Sequence, residues 1–142
     1  MIKKLFLPAV LLTASVMFFS SCGKDCKFEQ NDYTGQYAID EDCSNSQAQS
    51  YTITVTANGE TGVKIANFWG LFGAAVEASF DCETITIARQ EPDGDGYFVE
   101  GSGFIEKADG VTSLTISYTV TDETDPANIK SDECSQSLFI KL

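Results

Sequence analysis

The chain has 142 residues, with 21 Asp and Glu against nine Lys and Arg, no histidine and a net charge of −12. The missing imidazole excludes Ser-His-Asp and Cys-His catalysis and removes the commonest transition-metal ligand. The negative charge repels phosphate backbones, so nucleic acid is not an expected partner.

Met1-Ile2-Lys3-Lys4 opens the chain with two positive charges, and an apolar run follows from Leu5 to Phe19. That run falls short of the roughly 20 residues that cross a bilayer as a helix. A basic start before such a stretch predicts an export signal. A buried N-terminal helix is the poorer reading, because the run has no polar face to meet water. It ends in Phe19-Ser20-Ser21-Cys22-Gly23, which resembles the lipobox of bacterial lipoproteins: an apolar residue, two small residues, then cysteine. In that family the cysteine thiol receives a diacylglycerol, a dedicated signal peptidase cuts before it, and the new amino group is acylated. The resemblance implies a signal peptide over residues 1–21 and a lipid anchor on Cys22. Gly23 after the cysteine points to the outer membrane of the cell envelope. Each buried methylene contributes about 0.8 kcal/mol, so two or three acyl chains make a stable anchor.

Cleavage before Cys22 removes Lys3 and Lys4 and no acid, leaving 121 residues that carry a charge of −14. That length suits one domain. The charge is expected to keep it soluble and standing off an anionic membrane. Of five cysteines, lipidation uses Cys22 and leaves Cys26, Cys43, Cys82 and Cys134. An even remainder in an exported chain predicts two disulfides. There is no Cys-x-x-Cys pair to suggest a redox site or a zinc knuckle.

Residues 22–34 read as a polar, lipidated tether. From Gly35 to the end, residues 35–142, apolar residues recur with period two. Tyr37 and Ile39 begin the pattern; Tyr51, Ile53 and Val55 follow, then Val63 and Ile65 after Asn58-Gly59. Val76, Ala78 and Phe80 come next, then Ile85 and Ile87. Tyr97, Val99, Gly101, Gly103 and Ile105 share a face, as do Leu114, Ile116, Tyr118 and Val120, and Leu138, Ile140 and Leu142 close the chain. These are eight strands with one apolar face each, broken by turn residues such as Asp93-Gly94-Asp95-Gly96, Asp109-Gly110 and Asp125-Pro126. The class is all-β. Short, even spacing predicts an eight-stranded antiparallel up-and-down barrel, with a two-sheet sandwich as the alternative. Gly101 and Gly103 in one strand predict a bend or bulge in the wall.

The strings Gly35-Gln36-Tyr37, Val63-Lys64-Ile65-Ala66-Asn67-Phe68, Ile85-Thr86-Ile87-Ala88-Arg89-Gln90, Gly101-Ser102-Gly103 and Leu114-Thr115-Ile116-Ser117-Tyr118 resemble small lipocalin-like lipoproteins of the Bacteroidota. Gly35-Gln36-Tyr37 stands where lipocalins carry Gly-x-Trp. The resemblance implies an eight-stranded barrel and no established activity.

An up-and-down barrel also fixes which cysteines can meet. Cys43 follows the first strand and Cys134 precedes the last, so both lie at one rim on neighbouring strands. Cys26 and the Cys82 turn belong to the opposite rim, which residues 26–34 can cross at about 3.3 Å per residue. The expected pairs are Cys43–Cys134 and Cys26–Cys82.

Three segments invite functional readings. Phe68-Trp69-Gly70-Leu71-Phe72-Gly73 is an aromatic stretch where loops are normally polar. Phe68, Trp69 and Phe72 could form the lip of a ligand site; the preferred reading is that they fold down and cap the core. Glu91-Pro92-Asp93-Gly94-Asp95-Gly96 could offer oxygens to calcium, but a solvated hairpin loop fits it better. Glu100 and Glu106 suggest a paired-carboxylate hydrolase only superficially, since they are surface acids in an acidic chain. No catalytic group, metal or cofactor is implied. The expected partners are a membrane, through the lipid, and a protein or a small apolar ligand. A large interior cavity would favour a carrier of small apolar ligands. A filled interior would favour an inhibitor or adhesin that binds a protein.

Overall fold

The computed structural model describes residues 25–46 and 49–142. Cys22 and the export signal lie outside the described residues. Eight strands run in chain order: β1 (Gly35–Glu41), β2 (Gln49–Asn58), β3 (Gly62–Ala66), β4 (Val76–Asp81), β5 (Thr84–Gln90), β6 (Tyr97–Ala108), β7 (Val111–Asp122) and β8 (Lys130–Lys141). Each pairs antiparallel with its chain neighbours, and β1 pairs with β8 to close a barrel. The sandwich alternative is thereby set aside.

The period-two pattern explains the wall. Tyr37, Ile39, Ile53, Val55, Val63, Ile65, Val76, Ile85, Ile87, Val99, Ile105, Leu114, Ile116, Tyr118 and Val120 point inward and are buried. The polar residues between them meet water. Tight turns join the strands at what we call the lower rim. Gly59 has φ 68° there, and Asp109 and Gly110 have φ 52° and 81°. Two successive positive φ values give the turn twist that a two-residue hairpin needs.

The last strand departs from the expected pattern. Leu138, Ile140 and Leu142 are not its core face; they are 43 %, 42 % and 74 % exposed, while Ser137 and Phe139 are buried. A bulge causes the inversion. The β7–β8 register shifts by one residue between Ile116↔Ser137 and Tyr118↔Cys134. Gln136 adopts φ 54°, and its N–H donates to Ser117 Oγ at 3.0 Å. One extra residue reverses the face of every residue beyond it. Cys134 therefore points inward before the bulge and Phe139 after it.

Gly101 and Gly103 mark the place where β6 coils closely over β7. A Cβ on Gly101 would lie 2.6 Å from Ser117 O, and one on Gly103 would strike Thr115 O and lie 2.8 Å from Ile116 Cα. The β6–β7 register itself is unbroken; the irregularity lies across from these glycines, in β5 between Ile87 and Gln90.

The lower rim is closed by the segment expected to be a tether. A one-turn helix, α1 (Gln30–Tyr33), lies across it. Asp32 accepts from the Glu29 N–H at 2.8 Å, capping the turn. Phe28 and Tyr33 are buried, and the Tyr33 ring sits 4.8 Å from Phe80. The Tyr33 hydroxyl donates to Cys82 O at 2.7 Å, and the Tyr37 hydroxyl donates to Tyr33 O at 2.9 Å. Gln30 Nε2 donates to Gly59 O and Gly62 O, and Lys141 Nζ donates to Asp32 O. Cys26 is bonded to Cys82 across this rim, with Cα atoms 4.8 Å apart. Cys43 is bonded to Cys134 at the other end of the β1–β8 seam, with Cα atoms 4.3 Å apart. The tether segment is thus part of the domain from Cys26 onward.

Because the atoms opposing the Gly103 Cβ are backbone, Gly103→Ala should destabilise the barrel by about 1–3 kcal/mol, as overpacking does. Urea unfolding followed by circular dichroism measures this; an unchanged midpoint would show that β6 and β7 can separate freely.

Candidate functional site

The upper rim carries the connections β1–β2, β3–β4, β5–β6 and β7–β8. Its centre is the aromatic loop. Asn67 and Trp69 both adopt the left-handed conformation, φ 61° and 59°, around a single turn of 3-10 helix at Phe68–Gly70. The Asn67 side chain donates to Thr52 O at 2.9 Å. This geometry separates neighbouring rings. Phe68 turns into the barrel, fully buried, 4.6 Å from the Tyr118 ring and 6.1 Å from Phe139. Phe72 is buried beneath Trp69, with centroids 5.6 Å apart. Leu71 stands 65 % exposed. Phe68 and Phe72 are therefore the cap, and Trp69 remains half-buried at the surface.

Below the cap lies a buried carboxylate that the sequence pattern does not single out. Glu41 is 5 % exposed. Its Oε1 accepts from the Tyr51 hydroxyl at 2.8 Å and its Oε2 from the Tyr118 hydroxyl at 2.6 Å. The Tyr51 ring lies beside Gly70 of the aromatic loop, 3.5 Å from where a Cβ on that glycine would stand. The Cys43–Cys134 disulfide lies close by, its sulfurs within 4.8 Å of a Glu41 oxygen. Burial, followed by the Glu41 charge, pushes the Tyr51 phenol far above its ordinary value. Burial raises Tyr118 as well, with Tyr51 and Glu41 adding to it. Both carboxylate oxygens are engaged, so the cluster ties the cap to β1, β2 and β7.

The surface above the cap has recognisable chemistry. Trp69 and Tyr97 lie with ring centroids 6.2 Å apart, and a cleft borders them on each side. One, of about 330 Å³, is also lined by Asn45, Val120, Asp122, Lys130, Ser131 and Asp132. The other, of about 150 Å³, is lined by Leu71, Phe72, Asp93 and Asp95. The larger is at the lower end of the size range of small-ligand sites. Ile129 stands 56 % exposed on the neighbouring β7–β8 loop. Apolar rings with a few fixed polar groups are the usual makings of a recognition surface.

The remaining sequence-level candidates resolve simply. In the acidic loop, Asp93 accepts from the Gly73 and Ala74 N–H groups at 2.9 and 2.5 Å, pinning the aromatic loop. Glu91 accepts from Gly96 N–H, and Asp95 from Tyr97 N–H. These carboxylates serve backbone donors. Glu100 pairs with Arg89, which also holds Glu123, on the outer wall. Glu106 is exposed elsewhere on that wall and does not meet Glu100. Among the described residues, both groups with metal-ligand spacing include the sulfurs of a disulfide.

No family model matches the chain, and no curated protein does. Among solved structures, it is similar to a Bacteroides ovatus protein of unknown function, with a TM-score of 0.50 and 13 % identity over 77 % of this chain. The chain spans 41 % of that longer protein. At this identity the likeness concerns the barrel fold alone.

Phe68→Ala should destabilise the fold by about 3–5 kcal/mol, as for a buried aromatic. Leu71→Ala should change stability by no more than about 0.5 kcal/mol. Equal effects in thermal unfolding would show that the loop does not cap the core.

The buried phenols set an alkaline limit. Burial, then the charges of Glu83, Asp32 and Asp81, push Tyr33 up to about 12; Tyr37, Tyr51 and Tyr118 are raised too, burial first. The unfolded chain loses these protons from pH 10, before the folded one. Stability should therefore be fully present below pH 10 and fall steadily above it. Phenolate absorbance measured alongside circular dichroism should show these tyrosines ionising together with unfolding; ionisation in a folded barrel would contradict it.

Proposed function

We propose that this chain is a lipid-anchored protein of the bacterial cell envelope that binds a protein partner through its upper rim and has no catalytic role. The packed interior carries this reading. Phe68, Tyr118 and Phe139 occupy the space where a carrier of the lipocalin type would hold its ligand. The two clefts beside Trp69 and Tyr97 open outward instead. Leu71 and Ile129 add exposed apolar surface there, with Asp93, Asp95, Asp122 and Lys130 around them to set orientation. Central aromatic and apolar anchors within a polar rim are what protein-binding surfaces use. The lipobox at Phe19–Gly23 supports the anchor, and Gly23 supports the outer membrane. The two disulfides fit an oxidising compartment. The absence of histidine, and the engagement of Glu41 by two phenols, support a non-catalytic role. A small apolar ligand in the 330 Å³ cleft is the second reading, favoured by its Trp69, Tyr97 and Val120 lining.

The test begins in the native envelope. Labelled fatty acid should enter the wild-type chain and not Cys22→Ala. Cross-linking should then capture one envelope protein in constant proportion, and Leu71→Asp with Ile129→Asp should weaken that complex by about 2 kcal/mol or more at unchanged melting temperature. Undiminished capture by the double variant would remove the rim from the proposal. Label on Cys22→Ala would remove the anchor.

A further inference from the structure

We infer that the lower outer wall formed by β6, β7 and β8 is a docking surface for the lipid bilayer. The inference rests on the lipid anchor proposed above. The Gln136 bulge turns Leu138 and Ile140 outward. Ile140 is aligned with Ser113, and Leu138 is aligned with Thr115, which is itself aligned with Phe104 on the far side. Continued to the end of the chain, this register sets Leu142 beside Val111. Phe104, Val111, Leu138, Ile140 and Leu142 thus form one patch, each between 42 % and 74 % exposed. Apolar side chains scattered over a surface need no explanation, but a contiguous group does.

The position of the anchor decides what covers it. Cys26 is bonded to Cys82 in the β4–β5 turn. Thr84, two residues beyond, is paired with Phe104, and the Ile105 N–H donates to Glu83 O at 2.8 Å. The disulfide therefore fixes the N-terminal segment beside one corner of the apolar patch. Four residue steps separate Cys22 from Cys26, a reach of roughly 14 Å at about 3.5 Å per step. Acyl chains on Cys22 enter the hydrocarbon core and hold the cysteine itself at headgroup depth, so the patch is held within reach of the interface. Apolar side chains buried about 5–10 Å into that boundary add to the anchor's affinity. Glu106 shares this wall and Asp40 pairs with Leu138, so a zwitterionic surface suits it better than an anionic one. The domain then leans on its β6–β8 wall, contrary to the stand-off that net charge alone predicts. The Trp69 rim, at the far end of the barrel, is left clear.

The chain's single tryptophan makes this testable. The lipidated mature protein is placed in phosphatidylcholine vesicles whose acyl chains carry bromine near the headgroups. Wild-type Trp69 should keep its fluorescence. Leu138→Trp and, separately, Val111→Trp, each with Trp69→Phe, should lose most of theirs. Reporters that stay bright in protein that floats with the vesicles overturn the docking and leave the anchor standing. Protein that fails to float overturns the anchor and the docking together. Bright reporters in protein that sediments as a dimer assign the patch to a second copy, which also overturns the inference.

Discussion

The barrel closes where β1 meets β8, and this seam joins the beginning of the domain to its end. It contains four aligned pairs, from Tyr37↔Lys141 to Asp40↔Leu138. Bringing such distant segments together costs chain entropy before any packing offsets it. The molecule reinforces the seam from both sides. Cys43–Cys134 crosses it at the upper rim, linking residues 91 apart in sequence. Lys141 reaches from the last strand to the α1 carbonyls at the lower rim. A bond over so long a loop restricts the unfolded chain by roughly 4–5 kcal/mol in the chain-entropy account. Once the seam is shut, the inward face of every strand has one destination, and the core follows.

Closure also determines how the two ends differ. The lower end is covered by a helix turn that donates and accepts hydrogen bonds around its edge. The upper end is covered by an apolar side chain, Phe68, pressed onto a polar cluster. A carboxylate such as Glu41 is costly to bury without partners, and two phenols supply them. The same two residues meet the cap, Tyr118 against Phe68 and Tyr51 beside Gly70. Rings fill the upper part of the barrel interior, and the clefts beside Trp69 and Tyr97 open at its surface. The rim offers rings and fixed polar groups; the lower wall offers Phe104 and aliphatic side chains, of which Leu138 and Ile140 also border a cleft beside Asp40 and Ser50.

Most of the wall was legible in the sequence because alternation records it directly. Asn58-Gly59 and Asp109-Gly110 mark turns by conformational need, and counting strand reversals placed Cys43 with Cys134 and Cys26 with Cys82. Four features were not legible, each because tertiary structure overrides a local signal. The Gln136 bulge contains no glycine, and alternation continues through Leu138, Ile140 and Leu142 as if nothing had changed. Phe28 and Tyr33 lie in a polar stretch whose composition suits a linker, and only the open barrel end gives them something to cover. The aromatic loop shows three rings and does not reveal which enters the core; the left-handed turns at Asn67 and Trp69 settle that. Glu41 continues the inward alternation of Tyr37 and Ile39, a clue that its charge conceals.

The Cys26–Cys82 bond also has a mechanical meaning. A pull on the chain ahead of Cys26 does not travel along α1 and β1. It crosses the covalent bond and enters the barrel at the β4–β5 turn. The 56-residue separation between the two cysteines becomes a closed loop that bears none of that load. The helix turn and the first four strands lie inside that loop and are shielded, and the force is delivered beyond Cys82 to the start of β5. A tug from the N-terminal side would therefore strain one strand end while leaving the plug beneath the barrel seated.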